Sequence, residues 1–356
     1  MATVPIRHRL PLAPFTTLEL GGPAEHFTEV SDLATLTAAL RWARDRGVPV
    51  TVLGGGSNVV VADEGVPGLV VRIGMEGLVL RRVGERVHVT AQAGEPWDPL
   101  VERTVTAGLA GLECLSGIPG RVGATPIQNV GAYGQEVAET LVSVRVLDRA
   151  TLETRELGPR ECDFAYRDSI FKRDPDRHVV LEVTFALVPG GSPAVRYAEL
   201  RRALADRAPS LAQVRETVLS LRRAKSMVID PHDANRRSAG SFFTNPIVSD
   251  VEADRVVARA VELGVVTTDS EVPRWPAGPG RTKLAAGWLI EHAGVPKGYR
   301  RGPVGVSSRH ALALVHHGGG RTRDLLELAR HVRDTVHARF GVHLRPEPVL
   351  MGPVGL

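Results

Sequence analysis

SGIPGRVGATPIQNVGAYG, residues 116–134, is long, almost uncharged and punctuated by Gly117, Gly120, Gly123, Gly131 and Gly134. Pro119 and Pro126 remove backbone donors and fix φ, so neither a helix nor a strand runs through it. Arg121 is its one charge. A loop this long with no structure of its own is functional or disordered. Ile118, Val122, Ile127, Val130 and Tyr133, apolar and regularly interspersed, argue for order. Two readings stay open from these residues alone. One is an ordered coil lying with bare backbone against a ligand, its N–H groups turned to phosphate or polar ring edges. The other is a packed surface loop.

A second glycine-rich loop, Gly54-Gly55-Gly56-Ser57-Asn58, follows a short apolar strand expected over 48–53. The G-x-G-x-x-G spacing of a dinucleotide fold is absent, and the β-like run Val59-Val60-Val61 follows where a helix would be needed. No Gly-Lys-Ser/Thr occurs, which excludes a P-loop. If the loop holds a phosphate, it uses backbone N–H groups with Ser57 and Asn58. A plain β-turn is the alternative.

At 356 residues, 43% apolar and 24% charged, the chain reads as globular with two or three domains. The net charge is +4, and the positive charge is nearly all arginine. Lys172, Lys225, Lys283 and Lys297 are the only lysines. A pI of about 9.4 raises nucleic acid as a partner. Against that, the basic residues are spread out, interleaved with acids and without aromatic interleaving, so a small anionic ligand fits as well. The two cysteines, Cys114 and Cys162, fit no disulfide framework or metal site and suit a reducing compartment. The start of the chain shows no apolar signal core, and no run is long enough to span a bilayer. The expectation is a soluble cytoplasmic protein.

Periodicity predicts helices over 32–46 (capped by Ser31), 97–107, 211–224, 251–263, 283–293 and 324–340 (capped by Thr322), and a further helix in an insertion beginning at Arg196-Tyr197. It predicts strands flanking a turn at Gly21-Gly22, paired strands over 78–92, half-buried antiparallel strands over 141–147 and 179–187, a strand over 310–316 and a β-like tail over 342–351.

Candidate chemistry is sparse. H-E-x-x-H, cysteine clusters and G-x-S-x-G are all missing. Cys114 reads as a buried inert thiol rather than a nucleophile. Arg167 lies in a largely apolar run, with Asp168 as the simple structural partner. Ser241 follows Gly240 and precedes two phenylalanines, where a turn serine or cap is the ordinary explanation. Glu347 is fixed between Pro346 and Pro348 and on its own reads as an edge acid.

The order of these pieces is specific. FTTLELGGPA at 15–24, LGGGSNVVV at 53–61, GLECLSGIPGRVGATPIQNVGAYGQEV at 111–137, YRDSIFK at 166–172, AGSFFTNP at 239–246, KLAAGWLIEHAG at 283–294 and Pro346-Glu347 run over nearly the whole chain. Together they resemble the UDP-N-acetylenolpyruvoylglucosamine reductase (MurB) family, in its longer type with a tyrosine loop. The resemblance implies an α+β fold of the vanillyl-alcohol-oxidase/PCMH type. Two FAD-binding subdomains (1–77 and 78–222) precede a C-terminal α+β substrate-binding domain (223–356), whose last strand is allowed to return to the FAD domain. It implies a flavoenzyme with bound FAD and NADPH as co-substrate. The enzyme reduces the enolpyruvyl ether of UDP-N-acetylglucosamine to UDP-N-acetylmuramate, with hydride to C3 and a proton to C2. No metal, nucleic-acid or membrane partner is implied, and a monomer is expected.

By the same resemblance, Arg167, Ser241 and Glu347 form the catalytic set, with Ser241 as proton donor. Gly54, Gly55, Gly56, Ser57 and Asn58 contact FAD. So do Gly117, Ile118, Pro119, Gly120, Gly123 and Ala124, and further along Gln128, Asn129, Gly131, Ala132 and Tyr133. Tyr197, Lys225, Asn245 and His310 fall to the substrate. Pro348 and Thr244 depart from the family's commoner residues. Another FAD-dependent oxidoreductase of the same fold is the close alternative, and a basic nucleic-acid-binding protein is the distant one.

Overall fold

Apolar residues gather into two main cores, and the chain divides with them into two units. The computed structural model describes residues 4–205 and 208–356; residues 1–3 of the extended N-terminus and 206–207 of the predicted insertion lie outside the described residues. One unit takes Met1–Leu10, Ala24–Gly56 and Val66–Ile229; the other takes Pro11–Pro23, Ser57–Gly65 and Asp230–Leu356.

The first unit holds two larger sheets and the short pair Gly131–Ala132 with Gln135–Glu136. One has the order Arg7–Pro11, Pro23–Val30, Val66–Ile73, Val50–Leu53, the last three pairing in parallel. Parallel neighbours need a crossover. The helix Leu33–Arg46 supplies it, burying Leu36, Ala39, Leu40 and Ala43. Its N-cap is Asp32 rather than Ser31: the carboxylate accepts the Thr35 amide at 2.7 Å, and the Thr35 hydroxyl accepts the Asp32 amide in return. The other sheet is antiparallel, with the order Thr154–Leu157, Leu141–Asp148, His178–Pro189, Arg86–Gln92, Leu78–Val83. Val180 joins Val179 and Leu181 in the core because the register shifts opposite it, between Arg145 and Val146.

The second unit has a sheet ordered Ser238–Ser241, Ala313–His316, Val304–Val306, Arg300–Arg301, and a smaller one ordered Ile247–Ser249, Arg281–Leu284, Arg274–Pro276. The helices Asp250–Glu262, Ala286–Ala293 and Thr322–Phe340 bury their apolar stripes in its core. Lys283 and Leu284 end a strand, so the helix predicted from 283 begins at Ala286. Thr322 is the first helical residue rather than the cap. Its hydroxyl donates to the Val61 carbonyl at 2.6 Å, and the Asp63 carboxylate accepts the Thr322 and Arg323 amides at 2.8 and 3.0 Å. The strand predicted before Gly21-Gly22 is absent: a short turn, Ala13–Phe15, leads into irregular chain that buries Leu18 and Leu20.

The stretches 1–77 and 78–222, expected as separate subdomains, share the first unit, apart from 11–23 and 57–65. Those two pieces join the second unit because Leu18, Leu20 and Val60 belong to its core. The second unit's main segment starts at Asp230 rather than 223. The last strand, Val349–Met351, pairs in parallel with Val59–Val61, which belongs to the second unit. Pro348 does not disturb it: the ladder starts one residue later, where the Val349 amide donates to the Asn58 carbonyl at 3.0 Å. Among the described residues no helix is long and apolar enough to cross a membrane, and no His, Cys, Asp and Glu group is arranged to hold a metal ion.

Candidate active site

In the first unit the two glycine-rich stretches meet. A Cβ on Gly55 would lie 2.8 Å from Gly120 Cα, so only glycine lets the two backbones touch there. A Cβ on Gly54 would meet only Ala124 Cβ, at 3.8 Å, so that side is open to approach. The loop 116–134 is coil apart from the turn Val122–Ala124 and the two-residue strand Gly131–Ala132. Ile118, Pro119, Gly120, Ala124, Gln128, Gly131, Ala132 and Tyr133 are half-exposed along it. This surface has flat apolar patches and glycine backbone, and it suits a flat ring system bearing phosphate oxygens.

Buried groups hold the loop from behind. The Gly117 amide donates to Asp98 Oδ1 at 2.6 Å, and Arg215 grips the same carboxylate at 2.6 and 3.0 Å. Burial opposes the charge on Asp98, but the hydrogen bonds from Arg215 and Gly117 and the nearby guanidinium charges outweigh it. Its carboxyl therefore sits below the usual range. Trp97 Nε1 donates to the Leu115 carbonyl at 3.0 Å, and the Trp97 amide donates to the Gly120 carbonyl at 3.1 Å. Three residues predicted to touch cofactor are engaged inside the protein. Gly117 is held by Asp98. The Gly123 amide donates to the Ala93 carbonyl at 2.9 Å. The Asn129 side chain donates to Glu136 Oε2 at 2.6 Å and accepts the Ala138 amide at 3.2 Å.

Arg167 belongs to this unit, half-buried and in the left-handed region at φ 55°. It donates to the Gly131 carbonyl at 2.7 Å and to the Asn129 carbonyl at 3.4 Å, so the guanidinium and the loop are tied together. Asp168 points its carboxylate to Arg173, at 2.5 Å, because Asp163 and Asp168 jointly hold that arginine. Tyr197, 44% exposed, stands edge-on to Tyr133 with centroids 5.7 Å apart. Lys225 Nζ lies 5.9 Å from the Tyr133 ring and donates to Glu199 Oε2 at 2.6 Å. Tyr133, predicted with the cofactor group, therefore shares a patch with the predicted substrate residues. Burial pushes its hydroxyl up to about 12. The Cys114 thiol, fully buried and close to the Glu113 carboxylate, is pushed up to about 12 and stays inert.

In the second unit, Ser241 ends the strand Ser238–Ser241 opposite Ala313, three residues beyond His310. The next residues carry the pairing over to the chain around Glu347. The Glu347 amide donates to the Phe242 carbonyl at 2.9 Å, Phe243 bridges Pro346, and the Thr244 amide donates to the Arg345 carbonyl at 3.1 Å. Asn58 Nδ2 reaches the Glu347 carbonyl at 3.4 Å. Ser241, Glu347 and Asn58, distant in sequence, are thus neighbours along one backbone network. Asn245 accepts the Ala286 amide at 2.9 Å on its side-chain oxygen, at the start of a helix, which leaves its NH₂ as the group to offer a ligand.

Sequence reasoning passed over Asp98, Arg215 and Glu199, the groups that hold the loop and Lys225. Each lies on or beside a helix whose periodicity explains it as surface, and nothing local marks its distant partner. It also passed over Thr17 and Glu19, inside the FTTLELGG run.

The sequence model for "UDP-N-acetylenolpyruvoylglucosamine reductase, C-terminal domain" matches residues 230–351, and that for "FAD binding domain" matches residues 24–158. The UDP-N-acetylenolpyruvoylglucosamine reductase of Thermobifida fusca is 52% identical, covering 98% of this chain and 99% of the relative. That of Saccharopolyspora erythraea is 53% identical, covering 96% and 94%. The crystal structure of UDP-N-acetylenolpyruvylglucosamine reductase from Thermus caldophilus aligns over 99% of this chain and 100% of that one, with a TM-score of 0.65 and 27% identity.

Proposed function

Because this chain belongs to the UDP-N-acetylenolpyruvoylglucosamine reductase family, we propose that Arg167, Ser241 and Glu347 divide the chemistry of its reaction. The enzyme is an FAD-dependent oxidoreductase of peptidoglycan precursor synthesis, and NADPH is its reductant. It reduces the enolpyruvyl ether of UDP-N-acetylglucosamine to UDP-N-acetylmuramate. Its residues fit FAD: the apposed backbones of Gly55 and Gly120 and the open approach at Gly54 make a surface a flavin dinucleotide can lie on. Gly54, Gly55, Ile118, Pro119, Gly120 and Ala124 would hold it there.

When bound there, FAD would supply C3 of the enolpyruvyl group with a hydride that comes from NADPH. Negative charge then grows at C2 and spreads into the substrate carboxylate. Arg167 holds fixed positive charge for that carboxylate. Removing such a stabiliser costs about 10²–10³ in rate. Ser241 donates its hydroxyl proton to C2; a serine is a weak acid, but an enolate is a strong base. Glu347 completes the set beside Ser241. Tyr197, Lys225, Asn245 and His310 receive the nucleotide sugar, with the Lys225 ammonium meeting its diphosphate.

The observation that carries the assignment is the hydrogen bond from the Glu347 amide to the Phe242 carbonyl, which makes the serine and glutamate segments one unit of structure. The test is Ser241→Ala. NADPH should still bleach its flavin at the wild-type rate, while reoxidation by the enolpyruvyl substrate falls by about 10²-fold or more, the lower range for a lost proton donor. Equal loss in both half-reactions would refute the proton-donor role. The same reading makes the protein cytoplasmic, supported by its use of NADPH and a nucleotide-linked sugar, and takes it as a monomer; a sedimentation coefficient above that of a single 38.2 kDa chain would refute the monomer.

A further inference from the structure

We infer that Thr17 and Glu19, in the segment FTTLELGG, are positioning residues for Ser241; the inference rests on the proton-donor reading of that serine. A proton donor must be placed to within a fraction of an ångström of its target. Yet the strand that presents Ser241 is short and weakly laddered. It pairs with Ala313–His316 only at Ser238 and Ser241, with a register shift between them at Gly240, whose φ is 73°. Its own sheet pairs the strand at both ends, and the Phe242 amide donates to the Leu312 carbonyl at 2.7 Å, but the shifted middle leaves the set of the strand to depend on what holds its start.

The start of the strand, and the two residues before it, are held by residues 17–19 of the same unit. Thr17 Oγ1 donates to the Ser238 carbonyl at 2.6 Å. Glu19 Oε1 accepts from Arg236 at 2.6 Å, and Glu19 Oε2 accepts from Arg237 Nε. Between them, the Leu18 carbonyl pairs with His316 Nδ1 at 3.1 Å. The Gly320 amide donates to His316 Nε2 at 3.1 Å, so that nitrogen is the acceptor and Nδ1 carries the proton toward Leu18. The His316 amide donates to the Arg237 carbonyl at 2.9 Å, which closes the circuit onto the strand beside Ser238–Ser241.

Three consecutive residues thus grip positions 236, 237 and 238, immediately before the serine strand, together with the strand that pairs with it. The grip has a conformational cost. Glu19 sits at φ 52°, in the left-handed region, about 1 kcal/mol or more for a residue with a side chain. Such strain persists where the surrounding contacts demand it. A turn whose only task was to bury Leu18 and Leu20 would not need a carboxylate forked between two arginines, nor a hydroxyl on a strand carbonyl.

The test uses the FAD-loaded enzyme and a double-mutant cycle. Thr17→Val keeps the shape and removes the hydroxyl; Glu19→Gln is the second, independent variant. Each should slow flavin reoxidation by the enolpyruvyl substrate about tenfold, as a small displacement of a reacting group does. Flavin reduction by NADPH and the substrate's Kd should stay within about twofold. Thr17→Ser should restore the rate. In a Ser241→Ala background, Thr17→Val should have no further effect. As a readout independent of turnover, amide hydrogen exchange across 238–242 should quicken in Thr17→Val without the flavin. An equal slowing by Thr17→Val with and without Ser241 would overturn the inference and leave the Ser241 reading intact, as would equal slowing of both half-reactions or a wild-type rate in both single variants. Wild-type reoxidation in Ser241→Ala alone would overturn both.

Discussion

The loop at 116–134 and the segment at 241–244 are both largely irregular, both carry proposed site residues, and are held in different ways. The loop is held by side chains as well as backbone: Asp98, itself gripped by Arg215, accepts the Gly117 amide, Ser169 donates to the Ile127 carbonyl, and Arg167 donates to the Gly131 carbonyl. The segment is held by amide–carbonyl pairs with Leu312, Arg345 and Glu347 and by the buried rings of Phe242 and Phe243. In the first arrangement a polar side chain outside the loop takes up a loop amide; in the second, amide–carbonyl pairs carry the polar contacts. Changing a polar side chain that touches the stretch directly should therefore damage the loop more than the segment.

The sharpest way to break this contrast is Asp98→Ala. It removes the acceptor of the Gly117 amide and leaves Arg215, whose side chain is 11% exposed, with the more distant Glu102 at 3.8 Å. Breaking a mostly buried ion pair from one side costs about 3 kcal/mol or more. The thermal midpoint should fall and FAD uptake weaken. An unchanged midpoint would mean that side chains do not hold the loop. Gly117→Ala should follow, at about 1–2 kcal/mol. Gly117 lies at φ 72°, and the added Cβ would come within 2.7 Å of Leu219 Cδ2, a flexible end that can give way.

A smaller effect concerns acid. The Asp98 carboxyl lies below its unfolded value because Arg215 and Gly117 outweigh burial. A depressed carboxyl contributes stability above the unfolded value, about 3.9, and loses it as pH falls through the folded one. Asp98→Asn should thus be less stable than wild type at neutral pH and show a shallower loss of stability below about pH 4. Parallel acid limbs would remove Asp98 from the account.

The same contrast explains what could be read from the sequence. Helix Leu211–Ala224, the paired strands within 78–92 and both glycine-rich loops have local signatures, and each appears where its signature lies. The fold class and the reaction came from the order of motifs. Ser241 alone reads as a turn serine, and only its company in AGSFFTNP singled it out. Asp98 with Arg215, Asp63 at the helix Thr322–Phe340, and Thr17 on Ser238 were not legible. Each joins residues far apart in the chain, and neither partner's neighbourhood announces the other. Ser31 and Asp32 show the same limit at short range: both are good caps, and only the reach of a carboxylate to Thr35 decides between them.

Thr244→Ala is the smallest predicted effect and the one that sharpens the comparison most. The Thr244 hydroxyl reaches the Arg345 carbonyl only at 3.5 Å, at the limit of a hydrogen bond, while its amide reaches the same carbonyl at 3.1 Å. Alanine keeps the amide. The Phe243–Pro346 bridge and the Glu347 amide bond to Phe242 are untouched by any change at the 244 side chain. Stability should therefore stay within about 0.5 kcal/mol of wild type, and the rate of flavin reoxidation should not move. A clear loss in either would show that a side chain does set this segment. It would then be held like the loop, and the proposed roles of Ser241 and Glu347 would rest on more than the ladder.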